Sequence, residues 1–220
     1  MRAVAQMVSY EVPMVLSVVP VVLAVGSLST VEIVNAQGGW GGLKWFVFTP
    51  WGFFGFLMFF LCGVAEVNRS PFDLPEGESE IIAGFHTEYS GMKFALFYMA
   101  EFINTFTISG MAATLFLGGW QGPLLPSWLW FLLKTYALIF IMIWFRGTLP
   151  RFRVDQLMGL AWKFLLPLTL INIFVAGFWF YSGLLVKIIG SVLMLVLTFW
   201  VLTKLNQKYL PEKRVYQFAD

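Results

Sequence analysis

Residues 65–91 read AEVNRSPFDLPEGESEIIAGFHTEYSG, a polar segment between two strongly apolar ones. The flanking residues 45–65 and 93–118 are each long enough to cross the hydrocarbon core of a bilayer, which needs about 20 helical residues. The polar segment is therefore predicted to be a loop that joins two membrane-spanning helices. Six carboxylates fall within 23 consecutive positions of this segment: Glu66, Asp73, Glu76, Glu78, Glu80 and Glu88.

The composition of the whole chain is that of a membrane protein. Hydrophobic residues make up 59% of its 220 residues and charged residues 12%, against roughly 25% charged residues in soluble domains. The mean hydropathy is +0.79. The pattern of alternating ten-residue strands that is typical of a membrane β-barrel is absent. We therefore predict an all-α, polytopic membrane protein.

Apolar segments divide the chain into six predicted membrane-spanning helices within one integral membrane domain, residues 1–220. Loops rich in glycine, proline or charged residues separate them. No internal repeat is apparent. The predicted spans are approximately 7–31, 45–65, 93–118, 128–146, 157–182 and 187–204.

The distribution of basic residues predicts the orientation of these spans. One side of the membrane would carry ten basic residues, and the other would carry two, Lys44 and Lys187. Basic residues favour the cytoplasmic side, so both ends of the chain and the acidic loop are predicted to be cytoplasmic. The ten are Arg2, Arg69, Lys93, Arg146, Arg151, Arg153, Lys204, Lys208, Lys213 and Arg214.

Several kinds of site are excluded by residue counts. The single cysteine, Cys62, permits neither an internal disulfide nor a four-cysteine iron–sulfur site, and its apolar surroundings indicate a packing role. The single histidine, His86, cannot form a histidine metal cluster, and we interpret it as an exposed or hydrogen-bonded loop residue. Glycine-rich nucleotide-binding motifs are absent. No metal site or bound cofactor is predicted.

Four ionisable residues fall inside predicted spans: Glu11, Glu101, Lys134 and Lys163. Intramembrane charges cost several kcal/mol and usually face a protein interior or a wet cavity. Glu101 lies about 12 Å into its span at helical rise, which favours a functional role because its short side chain cannot readily reach water. For the other three, a functional role and an extension toward the interface stay open as alternatives.

The acidic segment has two interpretations. A solvated loop is the usual one for a run of charges, but the apolar stretch IIAGF and the turn-rich SPFDLP favour partial burial. In a helix over 76–83, Glu76 and Glu80 would share one face, and in a shielded site some of these carboxylates would hold protons near neutral pH. Such groups can store and pass protons.

Three segments resemble a known family. The segment AEVNRSPFDLPEGESEIIAGFHTEYSGMKFALFYMAEF, together with RAVAQMVSYEV and LPRFRVDQLMGLAWKFLLPLTL, is similar to signature regions of the H subunit of NADH–quinone oxidoreductase. That subunit is the bacterial form of NADH dehydrogenase subunit 1 in respiratory complex I. The three motifs occur in the order of that family, and the similarity covers most of the chain.

The resemblance implies a helical membrane subunit that forms part of a ubiquinone chamber with two hydrophilic subunits. It also implies a path of carboxylates toward antiporter-like membrane subunits, which couples quinone reduction to proton translocation. The substrate would be quinone, and the iron–sulfur clusters and FMN would belong to partner subunits. The location implied is the inner membrane of a bacterial cell, and no nucleic acid is an expected partner.

The resemblance also assigns roles to individual residues. The acids that resemble the family's proton path are Glu11, Glu66, Asp73, Glu76, Glu78, Glu80, Glu88 and Glu101. The residues that resemble those near the quinone chamber or subunit interface are Arg69, Phe72, Arg151, Arg153 and Asp155.

One departure from the family is expected to matter. Family members carry about three further spans before the motif RAVAQ, and these help to form the quinone entrance.

Three alternatives to a complex I subunit stay open: a membrane subunit of a related hydrogenase complex, a secondary ion transporter, and a structural anchor for partner proteins. A transporter would function as a lone chain and often contains inverted repeats.

Overall fold

The structure is a computed structural model. It describes residues 2–39, 44–69, 71–72, 90–150, 152 and 154–181, and beyond these the positions 183, 187, 190–193, 196, 200 and 203–204.

The described residues are helical wherever they form regular structure, which confirms the prediction of an all-α chain for this part of the molecule. We number the α-helices in chain order. They are α1 (Arg2–Val25), α2 (Thr30–Ala36), α3 (Pro50–Glu66), α4 (Met92–Phe116), α5 (Ser127–Thr148), α6 (Val154–Leu160) and α7 (Leu166–Tyr181). A 3₁₀ helix, Phe46–Phe48, precedes α3, and a π-helix, Ala161–Leu165, joins α6 to α7.

Three of the helical segments are long and apolar enough to cross a membrane: Gln6–Val25, Ser127–Thr148 and Gln156–Tyr181. A shorter apolar helix is Pro50–Glu66. The chain is thus an integral membrane protein by these spans, and the count of six spans stays a prediction. Half of the predicted span 187–204 and most of the acidic loop lie outside the described residues.

The first helix ends earlier than its hydropathy predicts. The predicted span extends to residue 31, but α1 ends at Val25 because Gly26 adopts a φ of +76°. Residues that carry a side chain rarely adopt this backbone conformation, whereas glycine adopts it at little cost in free energy. The amide of Gly26 donates to the carbonyl oxygen of Val22 at 2.7 Å, and a separate helix, α2, begins at Thr30.

The π-helix lies just before Pro167. Proline has no amide hydrogen, and its ring collides with the carbonyl group four residues earlier, so it disturbs a regular α-helix. The wider turn at Ala161–Leu165 lets the chain continue through this position, and the predicted span 157–182 is therefore built from α6, the π-helix and α7. π-Helical turns are rare and often lie at functional sites.

Helices α1, α3 and α7 pack against one another, α3 also contacts α4, and α4 packs against α5. Glycine permits the close contacts of α3. A Cβ atom at Gly63 would lie 2.5 Å from Cγ2 of Ile108 on α4, and one at Gly55 would lie 3.2 Å from the Phe116 ring. Small residues allow helices in membranes to approach closely, which increases van der Waals contact.

Lys134 on α5 stabilises the end of α4. Its ammonium group donates to the carbonyl oxygens of Leu117, Gly119 and Gln121 at 2.6, 3.0 and 2.7 Å. It also lies 4.3 Å from the ring centroid of Trp45. These carbonyl groups belong to Leu117, the C-cap residue of α4, and to the loop that follows it. Lys134 is thus buried against the C-cap and the loop that follow α4, and a functional role for it stays a prediction.

Candidate functional site

Gln6 connects two of the signature segments, RAVAQMVSYEV at residues 2–12 and the long segment at residues 65–102. It lies on α1, its side chain is only 1% exposed, and its Nε2 atom donates to the carbonyl oxygens of Ala65 at 3.0 Å and Phe72 at 2.9 Å. Ala65 is in the last turn of α3, and Phe72 follows that helix by six residues. One amide group therefore holds the end of α3 and the turn beyond it against α1.

Phe72 extends this connection to the remaining signature segment, residues 149–170. Its ring is buried, and the ring centroids of Tyr10 and Phe152 both lie 5.7 Å from its own. The amide of Phe152 donates to the carbonyl oxygen of Pro71 at 3.1 Å. Phe72 thus occupies a junction between residues that are far apart in the sequence.

Two further hydrogen bonds join α1 to the region around the π-helix. The hydroxyl of Tyr10 donates to the carbonyl oxygen of Leu157 at 3.0 Å, and the indole of Trp162 donates to the hydroxyl of Ser9 at 3.0 Å. Tyr10 is fully buried. The three segments that carry the family resemblance are therefore packed together in space.

Asn68 directs the chain as it leaves α3. It adopts a φ of +53°, and its amide donates to the carbonyl oxygen of Ala65 at 3.3 Å. A left-handed residue just after a helix is a common way to end it, and asparagine tolerates this conformation better than most residues. The reversal places Arg69 toward α4.

Arg69 faces a carboxylate and two aromatic rings on α4. Its Nη2 atom lies 3.6 Å from Oε2 of Glu101, and both side chains are largely buried. The guanidinium carbon is 4.8 Å from the ring centroid of Phe102 and 5.7 Å from that of Tyr98. Arginine stacks well on aromatic faces, so the rings hold the cation beside Glu101, the acid for which the sequence favoured a functional role.

Glu66 and Glu11 form a second pair of interacting groups. Glu66 is the last residue of α3, just beyond the predicted span 45–65, and it is half-buried. Burial raises the pKa of its carboxyl group above the ordinary value, and the nearby carboxylate of Glu11 raises it further. Both effects disfavour the charged form of an acid. Glu11 itself is exposed on α1.

Buried polar atoms without a hydrogen bond mark this region. Within the described residues, four such atoms belong to neighbouring parts of the site: Gln6 Oε1, Glu66 Oε2, Asn68 Oδ1 and Arg69 Nη2. Buried polar groups generally bond to protein or to ordered water. These four atoms are therefore available to bind ordered water or a further polar group.

Some of the predicted site residues lie outside the described residues. These are Asp73, Glu76, Glu78, Glu80, Glu88, Arg151 and Arg153, and the histidine His86 is also among them. For Asp155 the structure describes the backbone, which is in α6. From the predicted set, the structure thus places Glu66 near Glu11 and Arg69 beside Glu101, and it packs the Phe72 ring against Tyr10 and Phe152.

The predicted site did not include Gln6, Tyr10 or Trp162. All three lie within the signature segments. The hydrogen-bond partner of an amide, a phenol or an indole in an apolar helix cannot be predicted from the sequence alone. Cys62 is buried and unpaired within the described residues, where its thiol packs in the core. In the same part of the chain, no group of three or more metal-ligating side chains comes together.

Comparison with known proteins agrees with the resemblance. The profile of the family described as NADH dehydrogenase matches residues 1–177. A protein of Geobacter sulfurreducens, named as a second H subunit of NADH-quinone oxidoreductase, is 54% identical over 177 residues, which are 80% of this chain and 52% of that protein. A protein of Dehalococcoides mccartyi, named as the H subunit of NADH-quinone oxidoreductase, is 54% identical over 178 residues, which are 81% of this chain and 48% of that protein.

The chain spans about half the length of these curated relatives. The matched region includes all three signature segments and every helix from α1 to α6. The chain therefore belongs to the NADH dehydrogenase family, whose relatives are named as subunits of NADH-quinone oxidoreductase.

Proposed function

We propose that this chain acts in the membrane part of a proton-translocating NADH–quinone oxidoreductase. The observation that carries the proposal is the placement of Arg69 beside Glu101, at 3.6 Å, just beyond the helix that ends with Glu66. Glu66 in turn interacts with Glu11. Glu66 precedes Arg69 by three residues, so the two interacting pairs follow one another along the chain where α3 ends.

The chemistry of this arrangement suits proton transfer. A carboxyl group with a raised pKa can hold a proton at a pH where an ordinary carboxyl group is ionised. A change of one unit in the pKa corresponds to about 1.4 kcal/mol of interaction energy. Because burial and Glu11 raise the pKa of Glu66, a modest movement of the end of α3 relative to α1 would change the protonation of Glu66.

Quinone reduction would drive this change. In the proposed sequence, electrons reach quinone from iron–sulfur clusters and FMN of partner subunits, and reduction alters the charge near the Arg69 turn. The segment 66–92 then transmits the change to the carboxylates. The resemblance supplies the partners and the quinone. The contacts of Gln6 and Phe72 supply a physical connection between that turn and α1.

Co-purification tests the proposal. The chain would be tagged in its native host and isolated in a mild detergent. We expect partner subunits to be retained with it, together with flavin fluorescence and the electron paramagnetic resonance signals of reduced iron–sulfur clusters. A stable lone chain that transports ions after reconstitution would contradict the proposal and would support a secondary transporter.

A further inference from the structure

A cavity of about 210 Å³ lies between α4 and α5. Two guanidinium groups, those of Arg69 and Arg146, contribute to its lining. The remaining lining is mostly apolar and includes Phe102, Ile139, Met142 and Ile143. A cavity with basic groups and apolar walls fits a ligand that is itself amphiphilic.

The basic and apolar parts of the lining lie at different depths. Arg146 is in the last turn of α5, at the predicted cytoplasmic edge of the membrane. Ile139 precedes it by seven residues, or about 10 Å along a helix. The cavity therefore carries positive charge near the interface and presents hydrocarbon side chains toward the centre of the bilayer.

Among the residues that the structure describes, the positive charge of the lining exceeds the nearby negative charge. Within the described residues, Arg146 is exposed and forms no ion pair, and Arg69 faces Glu101 at 3.6 Å. The Nη2 atom of Arg69 is buried and makes no hydrogen bond within the same residues. Two guanidinium groups beside one carboxylate leave a net positive charge for an anionic ligand.

The cavity opens on the outer surface of the helices. Ile143 and Phe102 are 62% and 53% exposed, and these apolar side chains flank the two sides of the cavity on α5 and α4. An exposed apolar surface of this kind on a membrane-spanning helix suits contact with lipid acyl chains. A lipid molecule can therefore enter sideways without a channel through the protein.

We propose that this cavity binds one anionic phospholipid of the cytoplasmic leaflet. The phosphate would lie against Arg69 and Arg146, because the guanidinium fork matches the geometry of phosphate oxygens. An acyl chain would follow Ile139 and Met142. Basic pockets between membrane helices on the cytoplasmic side bind anionic head groups. At about 210 Å³, the cavity holds the phosphate region and the upper part of one chain, and the rest of the lipid stays in the bilayer.

Electron paramagnetic resonance of spin-labelled lipids tests this site. The full chain would be placed in phosphatidylcholine nanodiscs that contain a small fraction of spin-labelled phosphatidylglycerol or spin-labelled phosphatidylcholine. We expect the protein to immobilise the labelled phosphatidylglycerol preferentially. Arg146→Gln should reduce this preference about fivefold, the loss that follows from removing one basic residue near an anionic head group. Arg146→Lys should retain most of it.

Lys44→Gln is the matched control, because Lys44 is exposed and lies on the opposite predicted side of the membrane. It should leave the preference unchanged. Ile139→Trp keeps both guanidinium groups but fills the apolar end, and it should also lower phosphatidylglycerol binding. Three results would overturn the proposal: an unchanged preference in Arg146→Gln, an equal loss in Lys44→Gln, or displacement of the labelled lipid by inorganic phosphate or by a short-chain quinone.

Discussion

Gln6 on α1 donates a hydrogen bond of 2.9 Å to the backbone carbonyl oxygen of Phe72, a residue 66 positions later in the sequence. The same amide group reaches the carbonyl oxygen of Ala65 at 3.0 Å. Through this contact, α1 determines the position of the turn that carries Arg69. The site is therefore organised by an uncharged side chain, although the residues that would carry out proton transfer are charged.

Gln6→Leu should loosen this turn. The substitution keeps a side chain of similar size but removes the donor that the carbonyl oxygens of Ala65 and Phe72 share. The carbonyl oxygen of Ala65 keeps the amide of Asn68 as a donor, whereas a buried carbonyl oxygen left unsatisfied costs about 1–3 kcal/mol. We expect a lower melting temperature and faster tryptic cleavage after Arg69. Asn35→Leu is the control, since Asn35 is exposed on α2. Equal cleavage rates in wild type and Gln6→Leu would show that the turn does not depend on this contact.

Lys134→Met should lower the stability of the fold. Three carbonyl oxygens lose a charged donor that is 4% exposed in the structure. Because hydrogen bonds to charged groups contribute about 1.5–3 kcal/mol each, we expect a loss of several kcal/mol, measured by thermal unfolding in detergent. Lys93→Met makes the same change at an exposed position and should have little effect. A similar melting temperature for both variants would favour a functional role for Lys134.

The apolar spans and the signature motifs were readable in the sequence, but the partners of the polar residues were not. Hydropathy located the helices because the bilayer imposes their length and composition. It could not locate the end of α1, since that end depends on the conformation of Gly26. Nor could it choose between the roles of Lys134, because its carbonyl partners come from a loop whose path depends on tertiary packing.

For the charged residues too, the sequence predicts which side chains are costly to bury but not which groups they contact. Glu101 lies within a predicted span, where a charged side chain costs free energy, and this cost can be predicted from the sequence. Its proximity to Arg69 depends on how α3 ends at Asn68 and on how α3 packs against α4. Contacts of this kind join residues that are distant in the chain, so neither local periodicity nor charge patterning predicts them.

Glu66→Gln should alter the dependence of stability on pH. The pKa of Glu66 is raised above its ordinary value of 4.5 by burial and by Glu11, so the folded state binds this proton more tightly than the unfolded state does. Its stabilising effect is fully present below the unfolded pKa and is lost as the pH rises through the folded pKa. Glutamine is neutral at every pH and does not lose stability in this range.

The melting temperature of Glu66→Gln should therefore exceed that of wild type near pH 8, and the difference should shrink as the pH falls toward 4.5. Thermal unfolding in a series of buffers measures this difference. Glu32→Gln, which changes an exposed carboxylate on α2, should show no such trend. A constant difference between wild type and Glu66→Gln across the pH range would mean that Glu66 is ionised as readily in the folded state as in the unfolded state.

Proton translocation by an assembled complex that carries Glu101→Gln tests most directly whether this carboxylate takes part in proton transfer. The quinone reductase rate and the number of protons moved per electron pair would be measured together in proteoliposomes, with Glu32→Gln as the control. We expect Glu101→Gln to lower proton translocation by about tenfold or more, since a positioned proton-transfer group typically contributes 10²–10⁴-fold, and we expect the control to retain both activities. An unchanged reductase rate together with an unchanged number of protons per electron pair in Glu101→Gln would contradict this role.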